Sequence, residues 1–196
     1  MNTSLRVLGI VGSPRKGGNT DLLVNDVLAG CRSLGADTDK LCLADHQIGP
    51  CKGCLTCYPN GRERCVANDD DMPSITRRMQ RADVWVLGTP VYCYGPTGVF
   101  KTFLDRWICF LPEVYEDTAV ASVIPLHLSA ARAEPTLGML KMVYRSFGLC
   151  DLGELVASGL LHMSDLDQQR AYRTQAKTMG RSLLAARSVP SCRVCP

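Results

Sequence analysis

The sequence predicts an α/β fold in which a five-stranded parallel sheet lies between two layers of helices. Short apolar runs alternate with stretches whose apolar residues recur at helical spacing. A glycine-rich segment joins the first run to the first helical stretch, and no repeat or low-complexity segment interrupts the alternation. Such alternation means crossover connections, and hence parallel strands with helices on both faces. Ligands in this architecture sit beyond the carboxyl ends of the strands, where the winding reverses.

Leu5 to Gly12 is a nearly continuous apolar run, as a strand covered on both faces requires. Beyond Gly12 to Thr20, the residues Leu23, Val24, Val27, Leu28 and Cys31 form one helical stripe. Thr38 to Leu43 reads as a second, shorter strand, followed by a cysteine-rich loop over His46 to Ala67. Asp69 to Asp71 cap the next helix, with Pro73 in its first turn, where proline is tolerated. Met72, Ile75, Met79 and Ala82 give that helix its apolar face.

Val84 to Leu87 is the third strand, and the loop Val91 to Gly98 leads to a helix striped by Phe100, Phe103, Leu104, Trp107 and Ile108. Thr118 to Leu126, Pro135 to Phe147 and Leu152 to Ser158 read as strand, helix and strand. A single last helix over about Asp165 to Arg187 carries Tyr172, Ala176, Met179, Leu183 and Ala186. These elements make one domain over 1–187, with a C-terminal tail at 188–196.

At 196 residues the chain has the length of one domain with a core of its own. A net charge of +3 with scattered basic residues is too weak to imply nucleic acid or an anionic membrane surface. No apolar run approaches the roughly 20 residues of a membrane span, and the N-terminus lacks the apolar core and cleavage site of a signal peptide. A cytoplasmic location is the default expectation. Eleven cysteines, an odd number, fit poorly with a fully paired disulfide framework.

Three constellations carry chemistry. Gly12-Ser13-Pro14-Arg15-Lys16-Gly17-Gly18-Asn19-Thr20 offers glycines for close backbone approach, together with hydroxyls, an amide and two cations. That mixture suits a terminal phosphate at a helix N-terminus, the alternative being an ordinary glycine-rich turn. It is neither a Walker loop, since Gly18-Asn19 stands where Gly-Lys is required, nor the G-x-G-x-x-G fingerprint. Thr89 to Gly98 could lay Val91, Tyr92 and Tyr94 against a flat ring, or merely cover the sheet edge.

The third constellation is Cys51, Cys54, Cys57 and Cys65, within fifteen residues. Three thiols spaced by two residues can turn toward one centre and a fourth can close it, as in short ferredoxin-type runs. Zinc and plain reduced thiols are the rival readings. Cys31, Cys42, Cys109 and Cys150 read as small core residues, and Cys93 sits in the ring-facing loop. Cys192 and Cys195 form a lone C-x2-C in the tail, half a metal site without its other half.

Together these residues resemble the iron–sulfur flavoprotein branch of the NADPH-dependent FMN reductase family, whose fold is flavodoxin-like. The likeness lies in Gly12-Ser13-Pro14-Arg15 with Gly18-Asn19-Thr20, and in the compact cysteine run followed by Asp70-Asp71-Met72. It continues through Pro90-Val91-Tyr92 and Lys101-Thr102-Phe103-Leu104-Asp105-Arg106, over roughly residues 5–110.

The resemblance implies FMN, with its phosphate on Ser13, Arg15, Asn19 and Thr20 beside Gly18, and its ring near Pro90, Val91, Tyr92, Tyr94 and Gly95. It implies a 4Fe–4S cluster on Cys51, Cys54, Cys57 and Cys65, close to the flavin of a neighbouring subunit in a homodimer or homotetramer. There are two departures from the family. The Cys57-to-Cys65 gap is long, and His127-Leu128-Ser129-Ala130-Ala131-Arg132 stands where relatives carry a glycine-rich loop. The expected function is electron transfer between a two-electron donor (NAD(P)H or quinone-like) and a one-electron carrier such as ferredoxin. Side chains would hold the cofactors without supplying a nucleophile. A cluster-free NAD(P)H-dependent FMN or quinone reductase and a zinc-stabilised, non-enzymatic binding protein are the alternatives.

Overall fold

The computed structural model describes residues 4–57, 65–67, 69–109 and 117–187. Five strands, β1 (Arg6–Val11), β2 (Asp37–Cys42), β3 (Val84–Gly88), β4 (Ala119–Pro125) and β5 (Cys150–Ala157), form one sheet in the order β2-β1-β3-β4-β5. Every pairing is parallel, with Val7 opposite both Thr38 and Val84. The five-stranded α/β flavodoxin-like expectation therefore holds, because a sheet covered on both faces needs the near-continuous apolar strands that the sequence supplies.

The pleat sorts the side chains. Leu8, Ile10, Trp85, Leu87, Val120 and Ile124 face one layer, formed by α2 (Met72–Gln80), α3 (Gly98–Asp105) and α4 (Glu134–Ser146). Val7, Val11, Val84, Val86, Ala121 and Val123 face the other, formed by α1 (Asn19–Arg32), α5 (Asp165–Gln168) and α6 (Arg170–Arg187). In the first layer Trp107 meets Trp85 and Phe103 edge-on, with ring centroids 5.5 and 5.4 Å apart.

Helix ends and stripes differ from expectation in places: α3 ends at Asp105, and Ile108, assigned to its apolar stripe, is exposed. The predicted last helix is broken at Gln169, whose φ of −104° and ψ of 55° leave the helical region. Its side chain donates to Gly159 O, so the chain turns there to close the loop after β5. Ala186, assigned to the buried stripe, is exposed, and Leu184 packs inward beside Leu183. The tail at 188–196, with Cys192 and Cys195, lies outside the described residues.

Helices α1 and α6 touch backbone to backbone. A Cβ on Gly180 would lie 2.0 Å from Val27 O, and one on Gly30 would lie 2.1 Å from Lys177 O. Asp26, almost fully buried, accepts from Arg173 at 2.7 Å and holds the same pair together. Gly180→Ala is therefore expected to destabilise the fold by about 3 kcal/mol, read as a lower urea midpoint. An unchanged midpoint would mean the helices are not held at this distance.

Candidate functional site

The carboxyl ends of β1 and β3 adjoin where the winding reverses, and the first candidate site lies there. Loops from different parts of the chain are tied together around it. Gly12 N donates to Gly88 O at 2.7 Å, and Thr97 N donates to Thr89 Oγ1 at 3.2 Å. The Thr97 hydroxyl donates to Gly12 O while its oxygen accepts from Phe100 N at 3.3 Å, so the residue that caps α3 also fixes the loop after β1. A Cβ on Gly12 would fall 2.3 Å from the Phe100 ring, which is why glycine stands there.

Beyond Gly12 the chain turns through Gly17, at φ +66°, into α1. Ser13 Oγ accepts from Arg15 N at 3.1 Å, and Asp21 accepts from Gly17 N at 3.0 Å. Arg15 Nη1 donates to Leu161 O at 3.1 Å, and Asn19 Nδ2 donates to His162 O at 2.9 Å. Those two carbonyls are held in place because Asp165 accepts from Leu161 N and His162 N, both at 2.7 Å. These bonds hold the Asp165 carboxyl below its ordinary pKa. Asn19 Oδ1 is left buried and without a partner. Lys16, the other cation of the loop, pairs with Asp45 instead.

These residues line one cavity. Ser13, Arg15, Gly18, Asn19 and Thr20 form its floor, and Pro90, Val91 and Tyr92 stand along one wall. The remaining two predicted ring contacts are not among its lining. Gly95 pairs with Tyr92 in a tight turn through Cys93 (φ 48°) and Tyr94 (φ 65°). Tyr94 swings outward, its hydroxyl accepting from Arg132 Nη1 at 3.1 Å. The rest of the lining, Pro125, Leu126, His127, Leu160, Leu161 and Met163, carries no motif of its own. The only signal for it was the departure of the segment starting at His127 from the family's glycine-rich loop.

Cys51, Cys54, Cys57 and Cys65 line a second cavity, of about 240 Å³, against the carboxyl end of α3. Gly53 and Leu55, at φ 61° and 60°, give the loop its tight course. The four thiols share this cavity without converging. Among the described residues no three of His, Cys, Asp or Glu are gathered closely enough to hold a metal ion. Metal–thiolate bonding supplies the energy that closes such a centre. Thiol packing does not.

Thr56 Oγ1 donates to Cys54 Sγ at 3.2 Å and lowers that thiol's pKa. A fifth cysteine, Cys109, lines the same cavity, half-buried. Burial, reinforced by Cys65, pushes its thiol up to about 11. Cys109 thus packs against the core edge, as expected, and lines the site as well. Cys31 is buried as expected, Cys93 is exposed, and Cys150 is disulfide-bonded rather than a free core thiol. Arg62 and Arg64, the cations flanking Cys65 in sequence, lie outside the described residues.

Residues 5–158 match the profile of the family described as NADPH-dependent FMN reductase. An iron-sulfur flavoprotein of Archaeoglobus fulgidus is 27% identical over 175 residues, covering 88% of this chain and 78% of that protein. An iron-sulfur flavoprotein of Methanocaldococcus jannaschii is 39% identical over 102 residues, which is 52% of this chain and 51% of that protein's length. Among solved structures, a flavone reductase superposes with a TM-score of 0.73 at 20% identity, over 93% of this chain and 63% of that one. Among the described residues no helix is long and apolar enough to cross a membrane.

In iron-free protein at pH 8, iodoacetamide is expected to label Cys54 well before Cys109. A thiol with a pKa of about 11 is only about one part in a thousand thiolate at that pH. Thr56→Val should slow Cys54 labelling by removing the hydrogen bond that favours its thiolate. Equal rates before and after the substitution, by mass spectrometry, would remove Thr56 as the cause.

Proposed function

The chain belongs to the NADPH-dependent FMN reductase family, and from that membership we propose that it is an FMN- and 4Fe–4S-containing oxidoreductase. It would take two electrons from NAD(P)H or a quinone-like donor and pass them singly to a ferredoxin-like carrier. The exchange balances as one NAD(P)H giving NAD(P)+ and a proton while two one-electron carriers are reduced. When bound, FMN exchanges a hydride or single electrons, and a cubane cluster carries one electron at a time.

The first cavity suits FMN. Ser13, Arg15 and Thr20 surround the start of α1, where unpaired backbone N–H groups and the helix dipole favour a phosphate. The unpartnered Asn19 Oδ1 is an acceptor, so it suits a ligand hydroxyl better than the phosphate itself. Pro90, Val91, Tyr92, Leu126, Leu160 and Met163 give the same cavity the apolar lining that a flat ring needs. Tyr94 and Gly95 would serve by shaping the turn that aims Tyr92.

The observation that carries the cluster reading is that all four predicted thiols line one cavity. Its volume of about 240 Å³ leaves room for a polynuclear group. Cys51, Cys54, Cys57 and Cys65 would be the ligands, and a homodimer or homotetramer would bring each cluster near a neighbouring subunit's flavin. The reading takes 1–187 as one domain and the protein as cytoplasmic.

Protein prepared without air is expected to be brown, with one FMN and about four irons per chain, and to bleach with dithionite. Yellow, iron-free protein would make it a cluster-free flavin or quinone reductase, and colourless protein bearing zinc would make it a zinc-stabilised binder. Cys54→Ala should lose the iron and keep the flavin. Arg15→Ala should keep the iron and weaken FMN about tenfold, as loss of a charged hydrogen bond does. Loss of both groups together in either variant would defeat the assignment of two separate sites.

A further inference from the structure

Arg106, immediately after α3, is the one arginine whose side chain is essentially closed to solvent among those described, at 1% exposure. Its guanidinium reaches both ends of the cysteine loop. Nη1 donates to Gly49 O at 2.9 Å, two residues before Cys51, and Nη2 donates to Ala67 O, two residues after Cys65. Asp70 accepts from Nη1 and in turn accepts Gly49 N at 2.9 Å and Met72 N at 3.0 Å. Gly49 is thereby gripped through its N–H by Asp70 and through its carbonyl by Arg106.

One donor is left over. Arg106 Nε is buried with no acceptor at hydrogen-bonding distance, and Arg106 lines the cysteine cavity beside Cys65, whose charge and hydrogen-bonding capacity both act on the guanidinium. A buried donor without an acceptor costs about 1–3 kcal/mol, so Nε–H in this place calls for an acceptor. The acceptors the cavity offers are sulfurs. Hydrogen bonds to the sulfurs of an iron–sulfur centre raise its reduction potential, because they stabilise the more negative reduced state.

We propose that Arg106 is the positioning residue of the cysteine centre: it clamps both ends of the ligand loop and reserves its Nε–H for a sulfur of the occupied centre. This inference rests on the cluster reading above. Neither of its two parts follows from the cysteine spacing. The clamp gives the four thiols a fixed base from which to close, and the Nε–H bond together with the fixed charge favours the reduced centre. Asp70 holds the clamp in register and offsets the cost of burying the cation.

The test compares Arg106→Lys and Arg106→Gln with the parent, all prepared anaerobically, by iron content, FMN content and redox titration followed by electron paramagnetic resonance. Arg106→Gln, which cannot span both carbonyls, is expected to keep FMN and lose most of its iron. Arg106→Lys, which keeps the charge but has no Nε–H, is expected to recover iron. Its centre should be about tenfold harder to reduce, or about 59 mV more negative for one electron. Full iron in Arg106→Gln would overturn the clamp, and a parent-like potential in Arg106→Lys would overturn the hydrogen bond. Loss of FMN along with iron in both variants would make Arg106 a general folding residue and overturn the proposal. Iron-free parent protein would instead sink the cluster reading itself.

Discussion

The reversal of winding between β1 and β3 is the constraint on which the rest depends. From β1 the chain crosses to β2 on one side, then returns to β3 on the other, so the loops leaving β1 and β3 diverge and open a crevice. The Thr97 hydroxyl on Gly12 O closes the base of that crevice and sets where α3 begins. Helix α3 then carries the effect onward. With eight residues at 1.5 Å each, its ends lie about 12 Å apart, one tied through Thr97 to the loop after β1 and the other, through Arg106, at the cysteine cavity. The two sites are separate in their lining residues and joined by one rigid element.

The cysteine loop is held by charge rather than by a core. Gln47 and Gly49 are bonded to Asp71 and Asp70, and Arg106 ties both strands of the loop base. Burial raises the Asp70 carboxyl's pKa, but the Arg106 guanidinium and the Gly49 and Met72 N–H groups outweigh it and hold the carboxyl below its ordinary value. A depressed carboxylate contributes stability that is present above its unfolded pKa and is lost as pH falls through the folded one. The loop base should accordingly be secure at neutral pH and loosen only in strong acid. Removing the charge of one member of such a pair leaves the other buried and uncompensated, so the charge-keeping Arg106→Lys disturbs the loop base less than Arg106→Gln does.

Much of the cradle was legible because its first half is local. Ser13 to Thr20 and Pro90 to Tyr92 follow directly on apolar strands, and a loop after a buried parallel strand must emerge at the carboxyl edge. The far wall was not legible. Leu160, Leu161 and Met163 carry no motif, and they reach the cradle only because β4 and β5 stack beside β3 and Asp165 folds the following loop back. Tyr94 is placed away from the cavity lining by the backbone. Aromatic character suggested a ring contact, but positive φ at Cys93 and Tyr94 turns that side chain toward Arg132. Cys109 reads as a core thiol and Arg106 as part of the motif shared with the family, and the end of α3 delivers both to the cysteine cavity.

By itself the sequence determined the layer order, the strand and helix alternation, the glycine-rich loop after β1 and the set of four clustered cysteines. Each of these is a local pattern of hydrophobicity, backbone freedom or ligand spacing within about twenty residues. Tertiary structure alone decided which distant residues complete each site: the wall from β4 and β5, the outward turn of Tyr94, the break at Gln169 and the placing of Arg106 over both ends of the loop. Those outcomes depend on where separate elements pack in three dimensions. Side chains brought together by packing leave no periodic trace along the chain.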